Sequence, residues 1–543
     1  MGFFRDAMRW LSVSSQTNRV GKPYDNRLWF INDDDEIRKR KLQEYLIWYS
    51  GDSDELLNYY TRGNFREFQT DPIFNRNKKD YFWSVASMEE KVKRTHSGIP
   101  RAIVETITNA IGNPMISSDD PLIQQRIDDI IKANDLYTAV NQEQMPLTLV
   151  TGGGAWKINI DTNISDKPIL TFYDVRNVRF EIISRRIMGI KFVDYYKGED
   201  NKAYALVDHR FVDDGNSYVE YKLYKLRPGQ KDGEYEKDGE EVALTSLPQT
   251  KDLQDTEIVG LTEILGVPSI FFKDTIYEGY GRSIYSGKVD LFDDLDQALS
   301  QSANTVRKST PVEYFPVDML ERTPTGEPKL PARYDRTYVA TPAGRNGDGD
   351  RVSQINTTQP SVNFAQYSGE ELTLLSFILT GVLSPATMGI DVAKKDNADA
   401  QREKEKVTIM TRNNIILKQK EILDKVLCLA LKMENYMMDP TLTEFPEYQI
   451  GVDFEEFANP SFENQIVILA NALSSGAISI DRYVDLLWGD SLDEAAKQAE
   501  VEYIKQFMGQ GGNPLDALLG ATQPQEQAQS DEEEFLAAET GQV

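Results

Sequence analysis

The chain has 543 residues, a single cysteine, and 60 basic against 87 acidic side chains, giving a formal charge of −27. That length holds several cores, the lone Cys428 excludes a disulfide framework or a cysteine-based zinc site, and the acidity argues against DNA binding over the whole surface. No window of about 18 apolar residues occurs, so no membrane-spanning helix is expected.

In chain order, "MGFFRDAMRWLSVSS" is amphipathic, with Phe3, Phe4 and Trp10 set against Arg5 and Arg9. It is too short and too charged for a signal peptide, and packing against the protein is a commoner fate for such a start than lying on a membrane. The acidic run Asp33 to Glu36 sits beside Arg38, Lys39 and Arg40 and reads as a solvated turn, not a metal site. "NRNKKDYFWSVASMEEKVKR" suits either nucleic-acid contact through Lys78, Lys79, Lys93 and Arg94 or a helical surface neutralised by Glu89 and Glu90.

Residues 100 to 145 read as helices. Asp120 is a cap, Pro121 suits the first helical position, and Ile123, Ile127 and Ile131 recur on one face. From about 153 to 270, short aromatic and β-branched runs separated by Gly, Asn and Asp turns predict a β-rich unit. Residues 283 to 308 then predict a long helix with the seam Ile284, Leu291, Leu295, Leu299 and Val306. Its carboxylates Asp290, Asp293, Asp294 and Asp296 cover more than one face, which suits a solvated surface better than an acid/base pair. Residues 309 to 362 hold seven of the 23 prolines and "NGDGD", so short strands and turns are expected there. A second helix follows, then a soft loop rich in small residues, then a long helix from about 398 to 434. Met410, Leu417, Leu423, Leu427 and Leu431 read as the buried stripe of that helix. Ser479, and Ser491 with Glu494, mark capped helices near the end. No basic residue follows Lys505, and the acidic tail is expected to be disordered.

Catalytic patterns are missing. "GRSIYSGKV" has one residue too many between its glycines for a phosphate loop, and Val289 stands where Ser or Thr is required. "NGDGDRVSQINT" begins like a calcium loop, but Arg351 replaces the Gly and Thr357 the bidentate Glu. His96 and His209 stand in differently patterned segments and read as ordinary surface or core residues. Neither a catalytic residue, a metal ligand nor a cofactor is assigned.

Three stretches, "GYGRSIYSGKVDLFDDLDQALSQSANTVR", "LTGVLSPATMGIDVAKKDNADAQREKE" and "NALSSGAISIDRYVDLLWGDSLDEAAKQAEVE", together with "GGGAWKINID", resemble the portal proteins of tailed double-stranded DNA bacteriophages of the long-tailed, Gram-positive type. The resemblance covers residues from about 100 to 508 and lies in the order of parts more than in any one motif. It implies an α+β fold with a β-rich wing, a two-helix stem, a small α/β clip, a long wing helix and a helical crown, assembled as a ring. Mapped onto this chain, residues 1–99 are the N-terminal part of the wing, 100–282 the wing, 283–308 the first stem helix and 309–362 the clip. Residues 363–380 are the second stem helix, 381–397 a tunnel loop, 398–458 the long helix and a following strand, 459–509 the crown and 510–543 the acidic tail.

The resemblance further implies a homo-oligomer of about twelve subunits at one capsid vertex, through which a partner ATPase drives DNA. Implied partners are the terminase large subunit, a head-completion or adaptor protein, the major capsid protein, a scaffolding protein and double-stranded DNA, with no membrane. The virion vertex is the implied location, and the host cytoplasm during assembly. Val382, Leu383, Met388, Ile390, Lys394 and Lys395 are the implied DNA-facing loop residues. Asp290, Asp293, Asp294 and Asp296 are candidates for an acidic channel wall, and Arg322, Lys329, Arg333, Arg336 and Arg345 for partner binding by the clip. The competing expectations are a DNA-processing enzyme, such as a terminase or nuclease, and another head-tail connector.

Overall fold

The structure, a computed structural model, describes residues 36–62, 81–84, 93–162, 164–198, 202–226, 239–275, 279–309, 311–322, 324–327, 329, 337–342, 344–345, 351–352, 355–359, 364–390, 398–454, 469–470, 473, 478–488 and 494–509. It is a mixed helix-and-sheet protein of α+β character whose chain divides into two compact units, Met1–Glu455 and Glu456–Val543. The N-terminal stretch through Asp35, the pair Lys78 and Lys79, and the acidic tail lie outside the described residues.

Helices α1 (Glu36–Ser50), α2 (Ser53–Arg62) and α3 (Ile99–Ile111) open the first unit. Strand β1 (Pro114–Ser117) leads to α4 (Pro121–Asn134), where Asp120 accepts from the Leu122 N–H at 2.8 Å and Pro121 follows directly. Ile127 and Ile131 of the expected face are buried and Ile130 joins them. A short helix, Leu136–Thr138, runs into a π-helical turn, Ala139–Gln144, and then α5 (Met145–Thr151). The π turn aims Gln144 inward, where it forms a reciprocal amide pair with Gln419, both bonds 2.9 Å long. Buried amides of this kind are tolerated because every donor finds an acceptor.

Strands β2 (Gly154–Asn159), β3 (Ile169–Asp174), β4 (Val178–Ile183), β5 (Arg186–Lys197), β6 (Ala203–Asp213), β7 (Asn216–Lys225), β8 (Glu240–Val242), β9 (Thr256–Ile258) and β10 (Gly266–Ser269) follow. They form an antiparallel sheet of order β10-β2-β3 and a larger antiparallel one of order β4-β5-β6-β7-β8, with β9 also paired to β7. β2 is buried on both faces: Trp156 joins the main core beside Phe172, while Ala155 packs against Val178, Phe180, Ile190 and Phe192. Two buried cations tie the sheets together. Lys157 of β2 reaches Asp208 of β6 at 2.9 Å, and Arg210 donates to Asp208 and to the carbonyls of Ile158 and Leu265.

Gly152 and Gly281 bring two backbones into close approach, since a Cβ on Gly281 would fall 1.7 Å from the Gly152 carbonyl oxygen. Beyond this crossing the first long helix of the latter half, α6 (Val289–Lys308), starts later than the sequence suggests. Gly287 adopts the left-handed φ of +76°, and Tyr285 is buried with its hydroxyl donating to the Pro100 carbonyl at 2.6 Å. Residues 284–288 are therefore turns, and the helix is about 30 Å long.

Between α6 and α7 (Phe364–Leu379) lie β11 (Val312–Pro316), β12 (Thr337–Thr341), β13 (Gly344–Arg345), β14 (Arg351–Val352) and β15 (Asn356–Thr358). β11 is central, parallel to β12 and antiparallel to β15, and β13 pairs with β14. Helix α8 (Ala398–Met438) runs 41 residues and packs Leu423, Val426, Leu427 and Leu431 into the main core with Ile103, Ile107 and Ile130. β16 (Gly451–Phe454) returns to pair with β1.

The expected stripe of α8 is corrected by the structure. Met410 and Leu417 are 58% and 59% exposed, whereas Leu423, Leu427 and Leu431 are fully buried. At 100° per residue Leu431 lies only about 40° from Leu417, so the difference is set by what covers each stretch of the long helix and not by its face alone.

In the second unit, α9 (Ile480–Trp488) and α10 (Glu494–Gly509) pack through Tyr483, Val484 and Val501 with Ala470 and Leu473. Ser479 caps α9, its hydroxyl accepting from the Arg482 N–H at 3.2 Å. Ser491 lies outside the described residues.

Candidate functional site

α6 and α7 form an antiparallel pair: Lys288 reaches the Thr380 carbonyl at 2.9 Å at one end, and Thr305 contacts the Tyr367 hydroxyl at 3.3 Å near the other. Lys288 also reaches the Phe377 carbonyl, satisfying acceptors that a helix C-terminus leaves open. Burial holds this ammonium below its usual range.

Part of the pair's apolar surface is exposed. Among the described side chains of α7 only Ile378 and Leu379 are buried, while Leu372 and Phe377 are 52% and 57% exposed. They project about 140° apart around the helix. Thr373, Ser376 and Thr380 turn their hydroxyls back onto the carbonyls of Gly369, Thr373 and Ser376, so these side chains offer little unsatisfied polarity. Val306 on α6 and Val407, Met410 and Leu417 on α8 are further exposed apolar positions.

The segment from Gly381 to Ile390 is a compact series of turns. Val382 and Leu383 are 8% and 2% exposed and belong to the main core, with Met388 and Ile390 half-buried against it. The Ser384 N–H donates to Thr408 Oγ1 at 2.9 Å, and Thr106 donates to the Met388 sulfur at 3.3 Å. Val382 and Leu383 are thus not DNA-facing. An alternation of small and apolar residues reads equally as soft loop or packed turn, and only the neighbouring helices decide. Lys394 and Lys395 lie outside the described residues.

The four aspartates divide as well. Asp290 and Asp294 are exposed on α6, but Asp293 and Asp296 are buried, which removes them from any solvent-lined wall. Segments 81–84 and 93–97, separated from α6 by about 200 residues, cover them. Asp293 accepts from the Phe82 and Trp83 N–H groups at 2.7 and 3.3 Å. Asp296 accepts from Trp83 Nε1, from the Ser97 N–H and from His96 Nδ1, the last at 2.7 Å. His96 is thereby a positioned residue of the core, ringed by Trp48 and Trp83. Among the described residues its Nε2 is buried without a hydrogen-bond partner. The sequence carries no local signal for this pairing.

Arg322 and Lys329 of the strand module are exposed. Arg345 lies on β13, and Arg333 and Arg336 fall outside the described residues. Among the described residues no group of acidic, His or Cys side chains could hold a metal ion, and no helix is long and apolar enough to cross a membrane. No family model and no curated protein matches the chain.

Proposed function

We propose that the chain is the subunit of a portal: a ring at one capsid vertex of a tailed double-stranded DNA bacteriophage, through which DNA is packaged, retained and ejected. The ring docks a terminase motor and later head-completion proteins and performs no chemistry itself. The observation that carries the reading is the uncovered apolar surface of α7, with Leu372 and Phe377 on different sides of one helix. A two-fold dimer uses one self-complementary patch, whereas apolar side chains on two separate faces suit head-to-tail contacts that close into a ring. The order of elements supports it too: β-rich unit, antiparallel helix pair, inserted strand module, compact turn and a 41-residue helix. Acidity fits a conduit, because a negative wall does not hold the polyanion that must slide along it.

Electron microscopy with native mass measurement tests the proposal on the full chain. Rings of about twelve copies with an axial hole are expected. A closed monomer that hydrolyses ATP would replace the portal reading with that of a DNA-processing enzyme.

A further inference from the structure

Beyond Met438 the chain turns back along α8. Residues 439–450 form neither helix nor strand, β16 follows them directly, and the second unit begins at Glu456. Tyr448 meets Asn435 and Cys428, and Asp453 meets Lys420, so later residues of this segment touch earlier residues of the helix. Residues 439–454 are thus a strap laid antiparallel along α8.

Little apolar surface holds it. Phe445, Tyr448 and Ile450 are half-buried against the main core, while Glu444, Pro446, Glu447 and Gln449 are exposed. Among the described residues, the only backbone–backbone bond within residues 439–450 runs from the Leu442 N–H to the Asp439 carbonyl. β16 buries Val452 and Phe454 but is bonded to β1 alone, and a two-stranded ribbon is marginal by itself.

Several of the groups that hold the strap are polar. Lys432 is buried between Glu263, at 2.9 Å, and the exposed Glu447, at 3.0 Å. The Asn435 amide donates to the Tyr448 hydroxyl at 2.6 Å, and the Cys428 thiol to the Tyr448 carbonyl at 3.5 Å. Water can take over these contacts when the strap lifts, so their loss costs far less than opening an apolar interface. The helix underneath is held separately, through Leu423, Leu427 and Leu431 in the main core.

We propose that residues 439–454 are a releasable strap, which lifts off α8 and β1 as one unit while the rest of the first unit stays folded. Release uncovers Cys428 and adds sixteen residues to the tether of the second unit, about 50 Å when extended. Strap release does not depend on ring formation.

Cys428, the single cysteine of the chain, is the probe. Burial pushes its thiol up to about 12, so the closed form reacts slowly. The full-length protein is labelled with iodoacetamide over a series of urea concentrations, and labelling is followed by mass spectrometry. At low urea the rate is expected to exceed the limit set by global unfolding by about tenfold or more, with weak urea dependence, and to join that limit near the transition. Tyr448→Ala should raise the low-urea rate about tenfold through the loss of its hydrogen bond and packing. Val104→Ala, in the core of α3, should lower the global transition and leave that rate unchanged. Hydrogen–deuterium exchange of a peptide covering Gly451–Phe454 should report the same opening. Labelling that follows global unfolding at every urea concentration overturns the proposal. So does a low-urea rate that Tyr448→Ala leaves unchanged or Val104→Ala raises, or a β16 that stays protected while Cys428 reacts.

Discussion

Asp208 and Asp293 are both buried aspartates, and their surroundings drive them in opposite directions. Burial alone would raise Asp208, but Arg210 and Lys157 beside it hold it down to about 2. Asp293 has backbone amides and like charges for company and is pushed up. Replacing Asp208 by Asn leaves two buried cations short of a counter-charge, so urea denaturation should show a loss of about 3–5 kcal/mol. Because the folded state holds Asp208 below its unfolded value, its contribution is full above about pH 4 and disappears as pH falls through about 2. Little of this was legible residue by residue. The Asp120 cap was, because its partner is two residues away. The pairing of His96 with Asp296 spans 200 positions and leaves no periodic or local trace.

The apolar residues of helix α8 have different fates along its length. Leu423, Leu427 and Leu431 are set in the main core, so Leu427→Ala should cost about 2–5 kcal/mol by thermal or chemical unfolding. Met410 and Leu417 face outward, so Met410→Asp with Leu417→Asp should change the stability of a separated subunit by no more than about 0.5 kcal/mol. On the portal reading the same pair of changes, or Leu372→Asp with Phe377→Asp on α7, prevents ring formation, which sizing with native mass measurement detects. Hydrophobicity alone does not separate these positions. The apolar residues of α6 divide likewise, Leu295 being buried and Val306 exposed, because segments 81–84 and 93–97 and α7 cover only part of the helix.

As a whole molecule the chain carries −27, and about twelve copies would bring on the order of −300 formal charges together. On the portal reading screening should therefore favour assembly, with rings persisting at lower protein concentration in about 0.5 M salt than in about 0.05 M salt. On the same reading, Lys394→Ala with Lys395→Ala should leave ring assembly intact and impair DNA packaging or retention, assayed by the fraction of filled heads. The sequence by itself determined the α+β character, the β-rich stretch, the proline-rich insert between two helices and the long helix, because these follow from periodicity, turn chemistry and caps within a few residues. Only the tertiary structure decided which aspartates are buried, that Val382 and Leu383 belong to the core, and which stretch of α8 is covered. Burial is set by what distant segments bring to a surface, and neither composition nor spacing along one element encodes it.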